Sequence, residues 1–383
     1  MEAYDAIIVG AGSIGLPTSL ALAEAGMRPL VLDARASLGQ GAHKAAIGGV
    51  RATHGDPVKV RVGLDSLATF ANWREERGDD IEWVSGGYVF VAYRERERQA
   101  FERLLREQRR LGLDIDWLDA PALLERVPDL EREGLLGGTF SPGDGHCSTL
   151  LVGQAMAAAA RRAGAEFRFG EPVRELLIER GRVRGVRSER ATYETPLVIN
   201  AAGAGGPALA EMAGESLEVA SELHEAGITE PVAPFLEPLV VDVRPSEGSA
   251  NVYCYQARTG QVIFCLTPEP PIYGEDLAET SEFLPLVAAR LVRLIPRLAH
   301  VRVRRTWRGV YPMTPDGSPL FGWSEAVEGL LHATGMCGQG LMLGPGVAAL
   351  IVRMARGELD PDDHDTLRAW APARKFVGEE VLR

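Results

Sequence analysis

Lysine is nearly absent from this sequence. Only Lys44, Lys59 and Lys375 occur among 383 residues, so arginine carries almost all of the positive charge. Acidic residues outnumber basic ones, and the formal net charge is −12 at pH 7. A duplex nucleic acid or an anionic membrane surface is bound through a basic face. The composition therefore argues against both as partners.

Cysteine is also scarce. The four cysteines are Cys147, Cys254, Cys265 and Cys337, and no two of them form a C-x-x-C pair. A chain of this length can fold without a disulfide framework, and structural metal sites use closely spaced ligands. We therefore expect no metal site. Cys254 and Cys265 could face each other across a hairpin, but buried free thiols are the favoured interpretation.

Long hydrophobic runs are missing as well. No stretch reaches the roughly 18 uninterrupted apolar residues of a membrane span. The opening MEAYDAIIVG carries Glu2 and Asp5 where a secretory signal has basic residues, and its apolar run is only as long as a strand. We expect a cytoplasmic protein without a membrane span.

A glycine-rich turn does stand close to the start. The apolar run Ala6–Val9 predicts a buried strand, and residues 16–25 predict a helix. Between them GAGSIG places Gly10, Gly12 and Gly15 in the pattern G-x-G-x-x-G, with Ser13 and Ile14 inside it. The first glycine permits the tight turn, the second lets a pyrophosphate approach the backbone, and the third lets helix and sheet pack closely.

An acidic residue supports a dinucleotide site. Asp33 lies eighteen residues after Gly15, at the end of the next predicted strand, and Ala34 follows it. A carboxylate at this position accepts hydrogen bonds from ribose hydroxyls and disfavours the 2′-phosphate of NADP. FAD and NAD both use such a turn, so these residues leave the choice between them open.

A second glycine-rich stretch, GMCGQGLMLGPGVAALIVRM, covers residues 335–354. It follows a predicted strand and opens a predicted helix, which makes it another candidate anion site. Similar units occur at 150–170 and 196–206, and residues 235–267 alternate like antiparallel strands. Further local patterns predict helices over 58–77 and 284–298 and a hairpin over 181–188.

From these units we predict an α/β fold with two domains. A Rossmann-like dinucleotide domain would comprise 1–65, 145–215 and 305–383. An inserted substrate domain with a large antiparallel sheet would comprise 66–144 and 216–304.

Four stretches resemble the FAD-dependent amine oxidoreductases of the D-amino acid oxidase, glycine oxidase and sarcosine oxidase superfamily. They are GGVR (48–51), VINAAGAGG (198–206), WRGVYPMTPDGSPLFG (307–322) and GMCGQGLMLGPG (335–346). They follow the family's order and spacing over nearly the whole chain. The resemblance is nearest to sarcosine oxidase-like and L-proline dehydrogenase β-subunit-like members. It implies that the discontinuous domain binds FAD in an extended form beneath the substrate domain.

The resemblance also implies the cofactor contacts. Besides the first turn, Asp33 and Ala34, they are the early loop Ala42, His43, Lys44, Ala45, Ala46, Ile47 and Gly48, then Val173 at the adenine, then Ala201, Ala202 and Gly203, and finally Gly338, Gln339, Gly340, Leu341 and Met342 along the flavin ring. Some relatives attach the flavin to a cysteine, where this chain has Gly309, or to a histidine near the register of His43. We expect non-covalent FAD, with a His43 link as the alternative.

For the substrate, the resemblance implies a carboxylate anchored by Arg51. Tyr311 replaces the arginine of the G-L-R-P motif, Met342 replaces a carboxylate-binding lysine, and Tyr255 matches a substrate-facing tyrosine. His54, three residues after Arg51, could line the same site. Each has a plainer structural alternative: a structural ion pair for Arg51, core packing for the tyrosines, and a supporting role for the histidine.

The implied reaction is oxidation of the C–N bond of a small amine or amino acid such as sarcosine, proline or glycine. A hydride leaves for flavin N5, and the imine product hydrolyses. The electron acceptor is oxygen or a partner protein, so a homo- or hetero-oligomer is possible. Three alternatives stay open: the flavin-bearing β subunit of a dye-linked amino-acid or opine dehydrogenase, a glycerol-3-phosphate-type flavoenzyme, and an NAD-dependent dehydrogenase that uses the first turn alone.

Overall fold

The computed structural model describes residues 2–378 and 382. The strands, in chain order, are β1 Glu2–Ala3, β2 Ala6–Val9, β3 Pro29–Asp33, β4 Gly49–Val50, β5 Tyr88–Ala92, β6 Asp116–Asp119, β7 Gly137–Ser141, β8 Gly145–His146, β9 Glu166–Phe169, β10 Val173–Glu179, β11 Arg182–Ser188, β12 Thr192–Glu194, β13 Val198–Asn200, β14 Ala220–Pro231, β15 Leu239–Asp242, β16 Ser249–Gln256, β17 Gln261–Pro268, β18 Val303–Met313, β19 Leu320–Trp323 and β20 Leu330–Thr334. The α-helices are α1 Gly15–Glu24, α2 Pro57–Arg77, α3 Glu95–Arg110, α4 Ala120–Arg126, α5 Thr149–Arg162, α6 Gly206–Glu211, α7 Phe283–Leu294, α8 Gly340–Arg356 and α9 Pro361–Ala369. Short 3₁₀ helices lie at Ala42–Ala45, Gly203–Gly205 and Pro296–His300.

A six-stranded sheet lies at the centre of the predicted dinucleotide domain. Its order is β19-β20-β13-β2-β3-β9, and all neighbours are parallel except β19 and β20. The middle strands are short and largely apolar, as expected for a sheet covered on both faces. They come from the start, the middle and the far end of the chain. Their carboxyl ends therefore bring three distant turns to one edge.

Helices α1, α5, α8 and α2 pack together over this sheet. Helix α2 begins where the side chain of Asp56 accepts a hydrogen bond from the Val58 amide at 2.8 Å, and it ends at Gly78 in the left-handed conformation. Both are common helix boundary signals. The predicted helix over residues 58–77 is confirmed.

An eight-stranded sheet covers the edge of the six-stranded sheet where the three turns meet. Its order is β18-β14-β17-β16-β15-β5-β7-β6. All neighbours are antiparallel except β5 and β15, which are parallel. Residues that pair directly across two strands share a face. Through such pairs one face carries Tyr88, Phe90, Leu239, Val241, Tyr253, Tyr255, His224, Glu222, Trp307 and Tyr311. We call this face the roof. The opposite face packs against α4 and α7.

Some local predictions need correction. The hairpin predicted over 181–188 is wrong, because Arg182–Ser188 form the single strand β11. This strand pairs with β10, and the turn between them lies at Arg180 and Gly181, which both have positive φ. The helix predicted for 284–298, with its close near Pro296, ends at Leu294, and a short 3₁₀ helix continues over Pro296–His300, because proline cannot continue the α-helical hydrogen-bond ladder.

The cysteines and the domain boundary also bear on the predictions. All four cysteines are free and buried, and Cys254 pairs across the hairpin with Phe264 rather than with Cys265.

The boundary expected at residue 305 falls inside β18, which belongs to the eight-stranded sheet. The division into two domains stays a prediction. Over residues 2–378 and 382, no helix is long and apolar enough to cross a membrane.

Candidate active site

The first glycine turn joins β2 to α1. A Cβ on Gly10 would lie 2.4 Å from the Ala201 carbonyl oxygen, and one on Gly15 would lie 1.8 Å from the Gly10 oxygen. Both positions therefore require glycine. Among the described residues, a Cβ on Gly12 would meet no atom within 4 Å, and no side chain caps the N-terminus of α1. The turn thus presents open space to the uncapped end of a helix.

Asp33 closes this turn from the end of β3. Its carboxylate accepts hydrogen bonds from the backbone amides of Ala11 and Arg35, each at 2.7 Å. Carboxylate oxygens have further lone pairs, and this side chain is only half-buried, so it can also accept from ribose hydroxyls. Ala34 is exposed beside it, and Val173 begins β10 just after Glu171, whose amide donates to the Asp33 carbonyl.

His43 lies buried in the early loop. Its Nε2 is 2.8 Å from the Thr149 carbonyl oxygen, and its Nδ1 is 2.9 Å from Ser13 Oγ. Burial lowers the pKa of this imidazole, so the neutral form donates from Nε2 and accepts at Nδ1. A Cβ on Gly153 would lie 2.7 Å from the ring. With both nitrogens hydrogen-bonded inside the protein, the geometry favours the non-covalent role for His43.

The rest of the early loop is fastened to its surroundings. Three of its carbonyl oxygens accept hydrogen bonds: Ala45 from Trp307 Nε1 at 2.8 Å, Ile47 from the Tyr255 hydroxyl, and Gly48 from the Cys147 amide at 2.9 Å. Ala42 and Lys44 are exposed, and Ala46 is half-buried. Tyr255 was predicted to face the substrate. Its hydroxyl donates to the Ile47 carbonyl and so helps to position the loop, while the contact of its ring with substrate stays a prediction.

The second glycine turn joins β20 to α8. Gly335, Cys337 and Gly338 all have positive φ, and Cys337 is the non-glycine among them. A Cβ on Gly338 would lie 2.2 Å from the ring of Tyr311, a roof residue. The position therefore requires glycine because the tyrosine ring packs directly against its Cα. The Gln339 side chain is buried, and its Oε1 has no hydrogen-bond partner among the described residues.

The two turns touch each other. A Cβ on Gly344, near the start of α8, would lie 2.2 Å from the Ser13 carbonyl oxygen, and one on Gly340 would lie 3.4 Å from Ser13 Cβ. Leu341 is buried at the start of the same helix. The N-termini of α1 and α8 therefore lie side by side at the edge of the six-stranded sheet.

A third small-residue segment completes this edge. Ala201 follows β13 and contacts Gly10, Ala202 is half-buried, and Gly203 has positive φ. A Cβ on Gly203 would meet nothing within 4 Å, and its carbonyl accepts a hydrogen bond from Thr334 Oγ1 at 2.7 Å. The hydrogen bond from Thr334 thus fixes the segment, while the side of Gly203 on which a Cβ would lie is open.

These features fit an extended dinucleotide. Open space lies before Gly12 and Gly203, the amides at the start of α1 have no side-chain cap, and the buried Gln339 Oε1 has no partner in the described part of the chain. Helix N-termini attract phosphate and other negative charge. FAD would thus have its pyrophosphate held at the first turn and its ring held between the second turn and the roof.

Arg51 lies buried beyond this edge, just after β4. Its guanidinium donates to the Thr53 carbonyl and, at 2.5 Å, to the Leu382 carbonyl, and it lies 5.4 Å from the centre of the Phe90 ring. The loop that carries it is held by Asp144, which accepts from the Ala52 amide at 2.8 Å and from Thr53 Oγ1 at 2.5 Å. Burial raises the pKa of the Asp144 carboxyl to about 6.

His54 and Met342 have supporting positions. His54 is fully buried, with Nε2 3.2 Å from the Arg51 carbonyl oxygen, and its own carbonyl accepts from Gln108 at 2.8 Å. It therefore braces the Arg51 loop. Met342 is half-buried and packs against the core under the six-stranded sheet. The structure does not bring these two side chains together with Tyr311.

The roof supplies polar residues that the sequence analysis missed. The His224 ring stacks on Tyr311 with centroids 3.8 Å apart, and the Tyr311 hydroxyl is 3.1 Å from that of Tyr253. His224 Nε2 lies 2.9 Å from Glu222 Oε1, while Nδ1 is buried without a hydrogen-bond partner among the residues described. Burial raises the pKa of both phenols, so they stay neutral. The alternation of Glu222 and His224 with apolar Leu223 was the available signal.

Comparison with known proteins agrees with this geometry. The family model described as FAD dependent oxidoreductase matches residues 5–354. Glycine oxidase from Geobacillus kaustophilus is 27% identical over 91% of this chain and 92% of its own length, and one of the subunits of opine oxidase from Agrobacterium tumefaciens is 26% identical over the whole of both. The crystal structure of L-proline dehydrogenase from P. horikoshii superposes with a TM-score of 0.89 and 26% identity, covering 97% of this chain and 98% of that one.

By name, these relatives oxidise glycine, opines and L-proline. A model that covers most of the chain, together with the two glycine turns and the roof above them, decides between FAD and NAD in favour of FAD. The chain belongs to the family of FAD-dependent oxidoreductases.

Proposed function

We propose that this protein oxidises the C–N bond of a small amino acid or amine, of the sarcosine, proline or glycine kind, to an imine that hydrolyses in water. The observation that carries the proposal is the buried guanidinium of Arg51. It lies over the ring of Phe90 of the roof and donates to the Thr53 carbonyl, in a chain of this family. A buried arginine that has no carboxylate within ion-pair distance among the described residues is suited to a carboxylate ligand.

The surroundings of Arg51 support this role. Its guanidinium donates to two carbonyl oxygens and has no ion pair with a carboxylate among the residues described. The plain alternative, a structural ion pair, therefore lacks its partner in that part of the chain. Asp144 makes no hydrogen bond to the guanidinium; it acts on Arg51 through their electrostatic attraction and through the loop, where it accepts from Ala52 and Thr53.

A proton must leave the substrate ammonium before the C–N bond is oxidised. The imidazole of His224, fixed by Glu222, offers an open acceptor at Nδ1 in a buried site. A carboxylate that accepts from one ring nitrogen of a neutral histidine leaves the other free to take a proton. His224 is our candidate for this step, and Tyr311 and Tyr253 form the neutral polar wall beside it.

When bound, FAD supplies the acceptor for the hydride that leaves the carbon next to nitrogen. The protein holds the substrate and shields the site. The N-terminus of α8, which no side chain caps, would stabilise negative charge at the adjacent part of the cofactor. The roof side chains exclude water from the reacting atoms.

Anaerobic flavin bleaching tests the proposal. The purified yellow protein is mixed, without oxygen, with sarcosine, proline, glycine, their N-alkyl relatives and longer aliphatic amino acids, and the flavin absorbance is followed. We expect at least one carboxylate-bearing amine to bleach the flavin. If the whole panel, including longer amino acids, leaves the absorbance unchanged, the proposed reaction is wrong.

A second candidate is that the chain works as one component of a larger oxidoreductase. The opine oxidase relative and hydrogen cyanide synthase subunit HcnC from Pseudomonas aeruginosa are both named as subunits, and the first aligns over the entire chain. In that case electrons pass to a partner protein instead of oxygen. Size-exclusion chromatography of the protein from its natural source decides this. A lone chain that reduces oxygen to hydrogen peroxide with its substrate would exclude the subunit role.

A further inference from the structure

The carboxylate anchor is in contact with another part of the same chain. The carbonyl oxygen of Leu382 lies 2.5 Å from the NH2 group of Arg51, more than three hundred residues away in sequence. Leu382 is almost completely buried, in contrast to Val377, of which 81% is exposed. The chain is therefore at the surface at Val377 and inside the site at Leu382.

The Leu382 side chain belongs to an apolar cluster beside Arg51. The other buried members are Tyr88, Phe90, Ala92, Phe101, Leu239, Val241 and Tyr255. Phe90 also lies under the Arg51 guanidinium, so the anchor and the apolar cluster adjoin each other. We call the part of this cluster that surrounds Leu382 the side-chain pocket.

Leu382 thus has the two contacts expected of an amino-acid ligand. Its carbonyl oxygen, on the guanidinium, stands in for one oxygen of a substrate carboxylate. Its isobutyl group, among the aromatic and aliphatic side chains, stands in for a substrate side chain. A ligand as small as glycine or sarcosine would have nothing to place in the side-chain pocket.

We propose that the side-chain pocket binds an aliphatic side chain of the substrate, and that Leu382 competes with substrate for it. The proposal rests on the proposed function, in which Arg51 binds the substrate carboxylate. It narrows the substrate class to amino acids with a branched or cyclic aliphatic side chain. The competition is reversible, because a charged carboxylate bonds to a guanidinium more strongly than a neutral carbonyl does.

Binding of carboxylates that cannot react tests the pocket. Flavin absorbance is titrated with 4-methylpentanoate, which is leucine without its amine, and with acetate. The protein used ends at Gly378. Each buried methylene contributes roughly 0.8 kcal/mol to transfer, so we expect 4-methylpentanoate to bind at least about tenfold more tightly. Equal affinities would overturn the pocket. This titration needs no turnover, so it can succeed even where the proposed oxidation fails.

Kinetics of the shortened protein test the competition. If Leu382 fills the site nine-tenths of the time, its removal lowers the apparent KM about tenfold with kcat unchanged. Leu382→Gly in the full-length protein should also lower KM. Because this variant keeps the whole chain, it tests the competition even if the shortened protein folds poorly. Val377→Ala is the matched control and should leave KM as it was. An unchanged or higher KM in both altered proteins would overturn the competition.

The two failures are distinguishable. If no amine bleaches the flavin while 4-methylpentanoate still binds tightly, the reaction is wrong and the pocket stands. If sarcosine and glycine are used as well as leucine-sized amino acids are, and acetate binds as well as 4-methylpentanoate does, the reaction stands and the pocket is wrong.

Discussion

The two sides of the candidate site are built differently. On the sheet side, the turns at residues 10–15 and 335–340 present backbone and open space, and a single extra carbon at Gly10, Gly15 or Gly338 would collide with a neighbour. On the roof, the chemistry is carried by side chains such as His224 and Tyr311, which project from strands. At these three positions the turns tolerate no added atom, whereas a surface made of side chains can change its selectivity one residue at a time.

The largest expected effect is on the sheet side. Gly12→Ala adds a methyl group where no protein atom lies within 4 Å, so the melting temperature of the protein without FAD should not change. The same methyl group occupies space meant for the pyrophosphate. Losing two charge-assisted hydrogen bonds would weaken FAD binding by about a thousandfold, measured by flavin fluorescence.

Gly143→Ala is the control for that substitution, because its Cβ would also meet nothing within 4 Å but lies on an exposed loop. It should change neither FAD affinity nor melting temperature. Tight FAD binding by Gly12→Ala would mean that the cofactor does not approach this turn, and the contrast between the two sides would lose its basis.

On the roof, His224→Gln should slow anaerobic flavin bleaching about a hundredfold, since a positioned base is lost. FAD content should stay the same, because His224 is not part of either turn. Glu222→Gln still accepts a hydrogen bond from the ring and should have a smaller effect. The measurement is the bleaching rate across pH. Equal rates for His224→Gln and the unaltered protein would remove His224 from the proton step.

Arg51→Lys tests the carboxylate anchor. Lysine keeps the charge but lacks the planar guanidinium that donates two parallel hydrogen bonds to a carboxylate. The KM for carboxylate-bearing substrates should therefore rise about thirtyfold with kcat little changed. An amine without a carboxylate, such as pyrrolidine beside proline, is the internal control and should show no such rise. If KM rises equally for both compounds, Arg51 does not select the carboxylate.

Acid should weaken the same anchor through Asp144. Its carboxyl has a pKa raised to about 6, so the folded protein takes up a proton there at a higher pH than the unfolded chain does. Its contribution to folding stability is therefore full below about pH 4 and is lost as pH rises through about 6. Protonation removes an acceptor for Ala52 or Thr53, and the Arg51 loop is held less firmly.

We expect the KM for carboxylate substrates to rise about tenfold between pH 7 and pH 5, as this carboxyl takes up its proton. Asp144→Asn cannot titrate in this range, so its KM should be high at both pH values and nearly independent of pH. The measurement is steady-state KM in both proteins. A parallel rise of KM in the Asn variant would assign the pH dependence to another group.

The smallest effect is expected at the contact between the roof and the early loop. Trp307→Phe removes the hydrogen bond to the Ala45 carbonyl but keeps an aromatic ring. A neutral hydrogen bond contributes about 1 kcal/mol, so FAD affinity should fall about fivefold. The exposed Trp323 provides the control as Trp323→Phe. A loss as large as that of Gly12→Ala would mean that the roof, and not the turns, determines cofactor affinity.

The sheet side could be predicted because its chemistry is local in sequence. Gly10, Gly12, Gly15 and Asp33 lie within one strand–turn–helix–strand unit, and each residue type follows from backbone geometry. The parallel order of the central strands also follows from such units. The second turn was predicted to lie along the flavin ring, and that contact stays a prediction. The sequence did not show that Gly338 is also required by the Tyr311 ring.

The roof could not be predicted in the same way. Glu222 and His224 lie on a different strand from Tyr253, and only the register of β14, β16 and β17 brings them to one face. Nothing in a single sequence fixes that register. Tyr255 was expected at the substrate from the resemblance, and His54 from its position three residues after Arg51. Both stay predictions, and what the sequence did not show is that these side chains also bond to the buried carbonyls of Ile47 and Arg51.

The interleaved strand order has a consequence for how the holoenzyme is made. Strands β2, β13 and β20 lie side by side, although β20 begins only at residue 330. During translation the ribosome must therefore release most of the chain before both glycine turns can face one cofactor. Until β20 has been made, the sheet formed by β2 and β13 exposes an unpaired apolar strand edge, and such a state is prone to aggregation. Flavin loading is thus a late event in biogenesis, and the supply of FAD at that moment would help decide how much of the newly made protein reaches its native state.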